Sequence, residues 1–443
     1  MTDNKRWWAL VVLAAAQFMV IMDTSIIGVA LPDMQRDLGF SPGGLQWVFN
    51  AYVVTFGGLL LLGGRLADLF GARRVFVTGW AVLIAGSVVA AAATTAWVEV
   101  AGRAVQGVGG ALIAPAAMTL LMMLFGHNPR ELGKAMALYG AAAPAGGTAG
   151  VFLGGVITEY LSWPWVFIIY IPIGLATLAA TRLLPAAAGR RGSVDLVGAV
   201  SVTAGIALVV YAIVATNWPA GIAGAALLAL FLLVQRTARN PLMPLRIWRT
   251  PGLATANLAM ALLGAAWIPM WYFLNLYLQQ SLGYGAFAGG AALLPMTVAI
   301  MIFMIGITAR LLGRFRAKPL IVTGLAVLAA GVAGLQFTGG FVTNVLPASL
   351  VAAVGMSLAY IPAMMSAMSG ARPEEAGLAS GIVNTTYQVG SALGLAAMTA
   401  VFTSQTSGFQ PAFAGAAVIA VIGAVLSAAF MRRPAVSEVE STI

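Results

Sequence analysis

Apolar runs of about 18–28 residues follow one another along nearly the whole of this chain, separated only by short polar breaks. A run of that length, wound as a helix at about 1.5 Å per residue, matches the roughly 30 Å hydrocarbon layer of a bilayer. Barrel strands would instead alternate over about ten residues. With 61% hydrophobic and only 8% charged residues, against roughly 25% charged in soluble domains, the chain cannot clothe its own surface in polar groups. The expected class is therefore an all-α integral membrane protein. The polar breaks place helices at about 8–31, 45–63, 75–95, 98–124, 133–158, 164–183, 195–216, 219–235, 252–278, 288–309, 319–338, 344–367, 377–403 and 411–431, fourteen in all. The short pair in the middle has the weakest spanning signal and leaves open a tilted or re-entrant arrangement.

Several functions are excluded. The chain has no Cys and one His, so disulfides, thiol catalysis and His-based metal cages are ruled out. That residue, His127, sits in the polar stretch "GHNPRELGK" and reads as an ordinary loop residue. No GxxxxGK[ST] phosphate loop is present; the expected energy source is a proton gradient, with no cofactor or metal. The formal net charge of +10 reflects membrane orientation rather than a nucleic-acid partner. With a cytoplasmic N-terminus, 21 of the 23 Lys and Arg fall on the cytoplasmic side; Arg36 lies outside and Arg103 inside a helix. Both termini are thus expected in the cytoplasm, in a multi-pass protein of a bacterial cytoplasmic membrane. The first apolar run is too long for a signal peptide and reads as an uncleaved helix.

The chain also repeats itself. "GRLADLFGARRV" (64–75) aligns with "ARLLGRFRAKPL" (309–320) at an offset of 245; "DLGF" (37–40) with "SLGY" (281–284), and Gly146/Gly150 with Gly390/Gly394, at 244. Three matches at one offset, on the same membrane side in both copies, imply two parallel-repeat six-helix bundles, residues 1–184 and 251–443. Residues 185–250 then hold cytoplasmic links and two inserted helices.

The ordered motifs resemble those of the major facilitator superfamily, and within it the fourteen-helix drug:proton antiporters. Asp23-Thr24 with Ala30-Leu31-Pro32 is similar to that family's first-helix motif. "GGRLADLFGARR" (63–74) is similar to its loop motif, and "GRAVQGVGGA" (102–111) to its fourth-helix motif. "WPWVFIIYIPIG" (163–174), "YLQQSLGY" (277–284) and "GLASGIVNTTYQVGSALG" (377–394) resemble further signatures. The resemblance implies a major facilitator fold and proton-coupled multidrug or antibiotic efflux. Three departures stand out. The fifth-helix antiporter motif has Val151 in place of Pro, with Pro144 placed to supply the bend. The family's W-R-W has become Trp163-Pro164-Trp165. No acid falls within the late helices, since Glu374 and Glu375 lie in a loop.

Asp23 and Arg103 are read as the only charged side chains well inside their helices. Asp23 lies about 12 Å from the outer end of its helix and Arg103 about 9 Å from the outer start of the fourth. Opposite signs at similar depth point to a pair. That pair is either a static brace or, as intramembrane acids generally are, a working site in which a carboxylate takes and releases a proton. Gly64, Asp68, Gly71, Arg73 and Arg74 form a tight turn; the resemblance implies that Asp68 also latches the two bundles near Gly377, where a helix N-terminus attracts an anion. Pro144, Gly146, Gly150, Gly154 and Gly155 allow close helix contact, with static packing and sliding both open. Tyr52, Gln106, Trp271, Tyr272, Asn275, Asn384 and Gln388 are candidate cavity residues by resemblance, or helix glue.

The expected function is proton-coupled efflux of amphipathic small molecules by alternating access, with the lipid bilayer, protons and the substrate as partners and the monomer as the working unit. One proton crossing 100 mV releases about 2.3 kcal/mol, enough for roughly fifty-fold concentration of a neutral solute. With no second deep acid, neutral or singly charged compounds are favoured over dications. The alternatives are an exporter dedicated to one endogenous metabolite or lipid-like molecule, and a non-transporting membrane sensor or scaffold. The short loops disfavour the last. An enzyme is not expected, because no nucleophile–base set is present.

Overall fold

The computed structural model describes residues 3–186, 193–337, 339–369, 376–404 and 408–431. Among them, thirteen helices are long and apolar enough to cross a bilayer. They are α1 (Lys5–Leu38), α2 (Trp47–Phe70), α3 (Ala72–Ala91), α4 (Ala96–Phe125), α5 (Lys134–Tyr160), α6 (Trp165–Leu183), α7 (Leu196–Ala215), α8 (Trp218–Thr237), α9 (Leu253–Ser281), α10 (Ala286–Leu312), α11 (Ala317–Gly334), α12 (Phe341–Met368) and α14 (Gln410–Phe430). Between the last two lies α13 (Ala376–Ser404), whose 29 residues are long enough to span. Asn384, Thr385, Thr386 and Gln388 lower its hydropathy and are half-buried in the protein. All fourteen expected segments fall on one helix each.

Two helices run past their expected ends. α1 continues through Pro32 to Leu38, closed by an Arg36–Asp33 ion pair one turn apart. Proline is tolerated in a membrane helix when neighbouring groups take up the freed carbonyl. The α2 helix also runs beyond its expected end, through the polar "RLAD" to Phe70. Gly71 then turns the chain at φ 91°, a left-handed value that a side chain resists.

The internal repeat is visible in the packing. α5 lies along α1 and α13 along α9. At these crossings a Cβ on Gly146 would stand 2.3 Å from the Phe18 carbonyl oxygen, and one on Gly150 2.8 Å from that of Met22. In the second copy, Gly390 meets the Ala261 carbonyl at 2.1 Å and Gly394 that of Ala265 at 2.3 Å. Glycines and partners thus recur together at nearly the same offset. α3 packs on α4 as α11 packs on α12. Two seams, α5 against α10 and α2 against α13, join the first set of helices to the second.

The middle pair forms a helical hairpin. Each helix has 20 residues, long enough to span. Thr216 turns the chain at φ 50°, and Asn217 caps α8 by accepting from the Ala220 amide at 3.0 Å. At the base, Asp195 accepts from the Gly198 amide at 2.7 Å and from Gln235 Nε2 at 2.7 Å, so one carboxylate caps α7 and ties it to α8. α7 rests on both α2 and α13, with Thr203 against Gly58.

Large apolar side chains point outward around the bundle, among them Val89, Phe152, Leu175, Val200, Leu233, Val421 and Val425. In water such a surface would drive aggregation; in lipid it is the solvated surface.

Candidate functional site

A buried polar cluster is built by four helices around Arg103. Its Nη1 donates to Asp23 Oδ2 of α1 at 2.6 Å and to Gln106 Oε1 at 2.7 Å, and its Nε donates to the Val48 carbonyl of α2 at 2.8 Å. Gln106 Nε2 passes the chain on to Ser87 of α3 at 2.8 Å. Both charged side chains are buried, with 0% and 1% of the Arg103 and Asp23 side chains exposed. The guanidinium also lies over the Tyr52 ring at 4.7 Å and the Phe167 ring at 5.8 Å. A delocalised, weakly hydrated guanidinium suits this setting: its fork serves several acceptors while its face stacks on a ring. Pairing offsets much of the several kcal/mol that burying each ion costs. Glycines admit the backbone around it: a Cβ on Gly86 would stand 2.6 Å from the Gln106 amide, and one on Gly102 2.7 Å from the Ala90 amide.

Chemically, the cluster is unfinished. Asp23 Oδ1 and Arg103 Nη2 are buried without a hydrogen-bond partner among the described residues. The reading of Asp23 and Arg103 as the only deep charges needs correction. Glu99, in the first turn of α4, is 0% exposed, and neither of its carboxylate oxygens has a hydrogen-bond partner among the described residues. The expected absence of a second deep acid, and the preference against dications built on it, therefore fall. Glu99 lies only two residues beyond Trp97, near the outer start of the helix. Trp97 is indeed 72% exposed, but Glu99 points inward. The spacing of Glu99, Arg103 and Gln106 on one helical face carried that signal.

The other candidates separate into groups. Tyr52 is fully buried beneath Arg103, with its hydroxyl 3.4 Å from the Val20 carbonyl. Gln106 has both ends of its amide bonded and is 0% exposed, so it belongs to the Arg103 network and not to a cavity wall. Trp271 and Asn275 of α9 abut α1, where a Cβ on Gly28 would stand 2.2 Å from the indole. Tyr272 is buried edge-on against Phe273. Asn384 and Gln388 are half-buried on α13, with Gln388 against Gly57 of α2. Asp68 is exposed at the end of α2, without a hydrogen bond or ion pair among the described residues. The segment 370–375 that precedes Gly377, including Glu374 and Glu375, lies outside them. His127 is exposed.

The α5 glycines divide their work. Gly146, Gly150 and Gly154 meet backbone carbonyls of α1, whereas Gly155 meets Ala286 and Phe287 of α10. Thr148 Oγ1 donates to the carbonyl of Pro144 at 3.0 Å. Trp163 of the altered W-P-W turn donates through Nε1 to Asp37 at 2.8 Å, docking that turn on the end of α1.

On the membrane face remote from the two termini, polar bonds cross between the halves of the repeat. Gln279 donates to the Val29 carbonyl at 2.9 Å and Gln280 to Gln35 at 3.1 Å. Glu159 of α5 accepts from the Phe287 amide at the start of α10, at 3.3 Å. The π turn 277–281 ends α9 and aims both consecutive glutamines at α1. These groups floor a cavity of about 490 Å³ that also includes Asp33, Arg36, Thr158 and Tyr284. Nearer the face bearing the termini, an added Cβ on Gly140 of α5 or on Gly306 of α10 meets nothing within 4 Å.

Residues 13–395 match the family model described as Major Facilitator Superfamily. The chain is 39% identical to the "Cephamycin export protein CmcT" of Amycolatopsis lactamdurans, covering 95% of this chain and 91% of that protein. It is 38% identical to the "Puromycin resistance protein pur8" of Streptomyces alboniger, with 92% and 84% covered. It is 31% identical to a "Methylenomycin A resistance protein" of Bacillus subtilis, with 87% and 85% covered. Among solved structures, the human organic anion transporter MFSD10 superposes with a TM-score of 0.67 over 95% of this chain and 99% of that one, at 14% identity, which speaks for the fold alone. A bundle of membrane-crossing helices with an internal repeat, a fully buried Asp23–Arg103 pair and glycine-lined seams is thus a multi-pass transport protein and not an enzyme, and the chain belongs to the Major Facilitator Superfamily.

Proposed function

We propose that this chain exports amphipathic, antibiotic-like small molecules from the cytoplasm in exchange for protons. The names of the relatives support the substrate class. The face bearing the termini carries the Lys and Arg clusters, which supports its being cytoplasmic. On that orientation the cross-half bonds of Gln279, Gln280 and Glu159 lie on the outer face, which supports reading them as the contacts that close it. The two halves (residues 1–184 and 251–443) rock about the α5–α10 and α2–α13 seams, and Asp68 latches the inner face when the cavity turns outward.

One observation carries the coupling: Asp23 and Arg103 share a buried site in which one carboxylate oxygen has no hydrogen-bond partner among the described residues. A proton on Asp23 releases the guanidinium, and its departure restores the pair, so occupancy by a proton is tied to the packing of α1 against α2 and α4. Asp23→Asn is expected to abolish pH-gradient-driven transport in proteoliposomes, over a panel that includes puromycin and a cephamycin. Passive exchange of the same compounds should persist. Undiminished gradient-driven transport by Asp23→Asn overturns the proton-carrier assignment.

The outer closure gives a second expected result. Glu159→Ala together with Gln279→Ala removes two cross-half hydrogen bonds, each worth about 0.5–1.5 kcal/mol. The population should shift several-fold toward the outward-open state. Because the chain has no native Cys, a Thr158→Cys background reports this directly as faster labelling by a membrane-impermeant maleimide. An unchanged labelling rate contradicts the assignment of these bonds as the outer gate.

A further inference from the structure

The cluster around Arg103 holds two carboxylates and one guanidinium. Asp23 takes the guanidinium through one oxygen, while Glu99, one helical turn before Arg103 on the same face of α4, is fully buried with both oxygens unpartnered. Residues four apart on a helix have Cβ atoms about 5–6 Å apart, within reach of a guanidinium that swings by a rotamer. Arg103 Nη2 is free to be offered. Arg103 and Asp23 are the charged groups that act on Glu99; the hydroxyls of Tyr52 and Tyr170 are the other titratable groups beside the cluster, and that of Tyr170 is also buried without a partner.

Charge counting then limits the states. With both acids ionised the buried cluster carries one uncompensated negative charge, whose desolvation costs several kcal/mol. With one proton it is neutral. We propose that Glu99 is a second proton-binding carboxyl, and that Asp23 and Glu99 exchange a single proton for the single guanidinium. In the conformation described, Asp23 is ionised against Arg103 and Glu99 holds the proton. In the alternative, the Glu99 O–H bond has broken, an O–H bond has formed on Asp23, and Arg103, protonated throughout, has turned to the Glu99 carboxylate. The cluster stays neutral in both. Glu99 lies four residues, roughly 6 Å, nearer the outer end of α4 than Arg103, so it is the group that meets a proton arriving from outside.

This inference rests on the proton-exchange reading above, and its test separates the two. Infrared difference spectroscopy under proton–deuterium exchange, on the full chain in lipid at neutral pH, reads the carbonyl stretch of a buried protonated carboxylic acid and needs no substrate. The wild type is expected to show one such band. Glu99→Gln should lose it, and Asp23→Asn should lose it as well, because Arg103 is then free to pair with an ionised Glu99. Absence of the band in the wild type, or its survival in Glu99→Gln, overturns the proposal; the wild-type measurement decides even if the variant fails to fold. In proteoliposomes, puromycin transport by Glu99→Gln should shift its external-pH optimum to the acid side, with rescue by Glu99→Asp. A wild-type pH profile for Glu99→Gln beside a dead Asp23→Asn refutes the relay while leaving Asp23 as the carrier.

Discussion

Arg103→Ala is expected to remove most of the folded protein recovered in detergent, with a loss of about 3–5 kcal/mol, the usual consequence of stripping one partner from a buried ion pair. The substitution leaves Asp23 charged and unpaired in a buried interior, and it orphans the Val48 carbonyl and Gln106 Oε1. It also empties the space over the Tyr52 ring. Arg103→Lys should recover part of the stability, since an ammonium restores the charge but lacks the fork that serves three acceptors in fixed directions. Adding Asp23→Asn to Arg103→Ala should raise the melting temperature above that of Arg103→Ala alone. The reverse order of those two melting temperatures contradicts the account of the pair as a charge-compensated buried site.

The second large effect concerns the repeat glycines. Gly146→Ala and Gly390→Ala each place a methyl about 2 Å from a backbone carbonyl, which no side chain can move aside to relieve. α5 must back away from α1, or α13 from α9. Overpacking of this kind costs typically 1–3 kcal/mol, and here it also disturbs the helices that form both seams. Gly140→Ala on the same helix as Gly146 meets nothing within 4 Å, and should be neutral or stabilising by up to about 1 kcal/mol, because alanine is the better helix former. Thermal stability of the three variants in one detergent checks the ordering. If Gly140→Ala is as damaging as Gly146→Ala, backbone contact is not what these positions provide.

Much of this was legible in the sequence because the bilayer simplifies the problem. Every backbone group in lipid must be satisfied within its own helix, so apolar run length translates almost directly into spans. The Asp23–Arg103 contact could be read from two opposite charges at matching depth. The small residues of α5 marked a surface for close helix contact, but not its partners, nor that Gly155 would leave its neighbours Gly146, Gly150 and Gly154 to serve α10. Glu99 escaped because depth along a helix was used as a substitute for burial, and the two differ whenever a helix end is covered by other helices. The bonds of Gln279, Gln280 and Glu159 were also out of reach. Each depends on a partner some 120 to 250 residues away in the chain, set by how the two halves meet and not by local pattern.

The hairpin of α7 and α8 breaks a symmetry that the repeat would otherwise impose. It stands across the α2–α13 seam, with Val202, Phe231, Ile382 and Thr385 enclosing only a small void of about 70 Å³. A solute dissolved among the lipid tails therefore meets a wall on that flank.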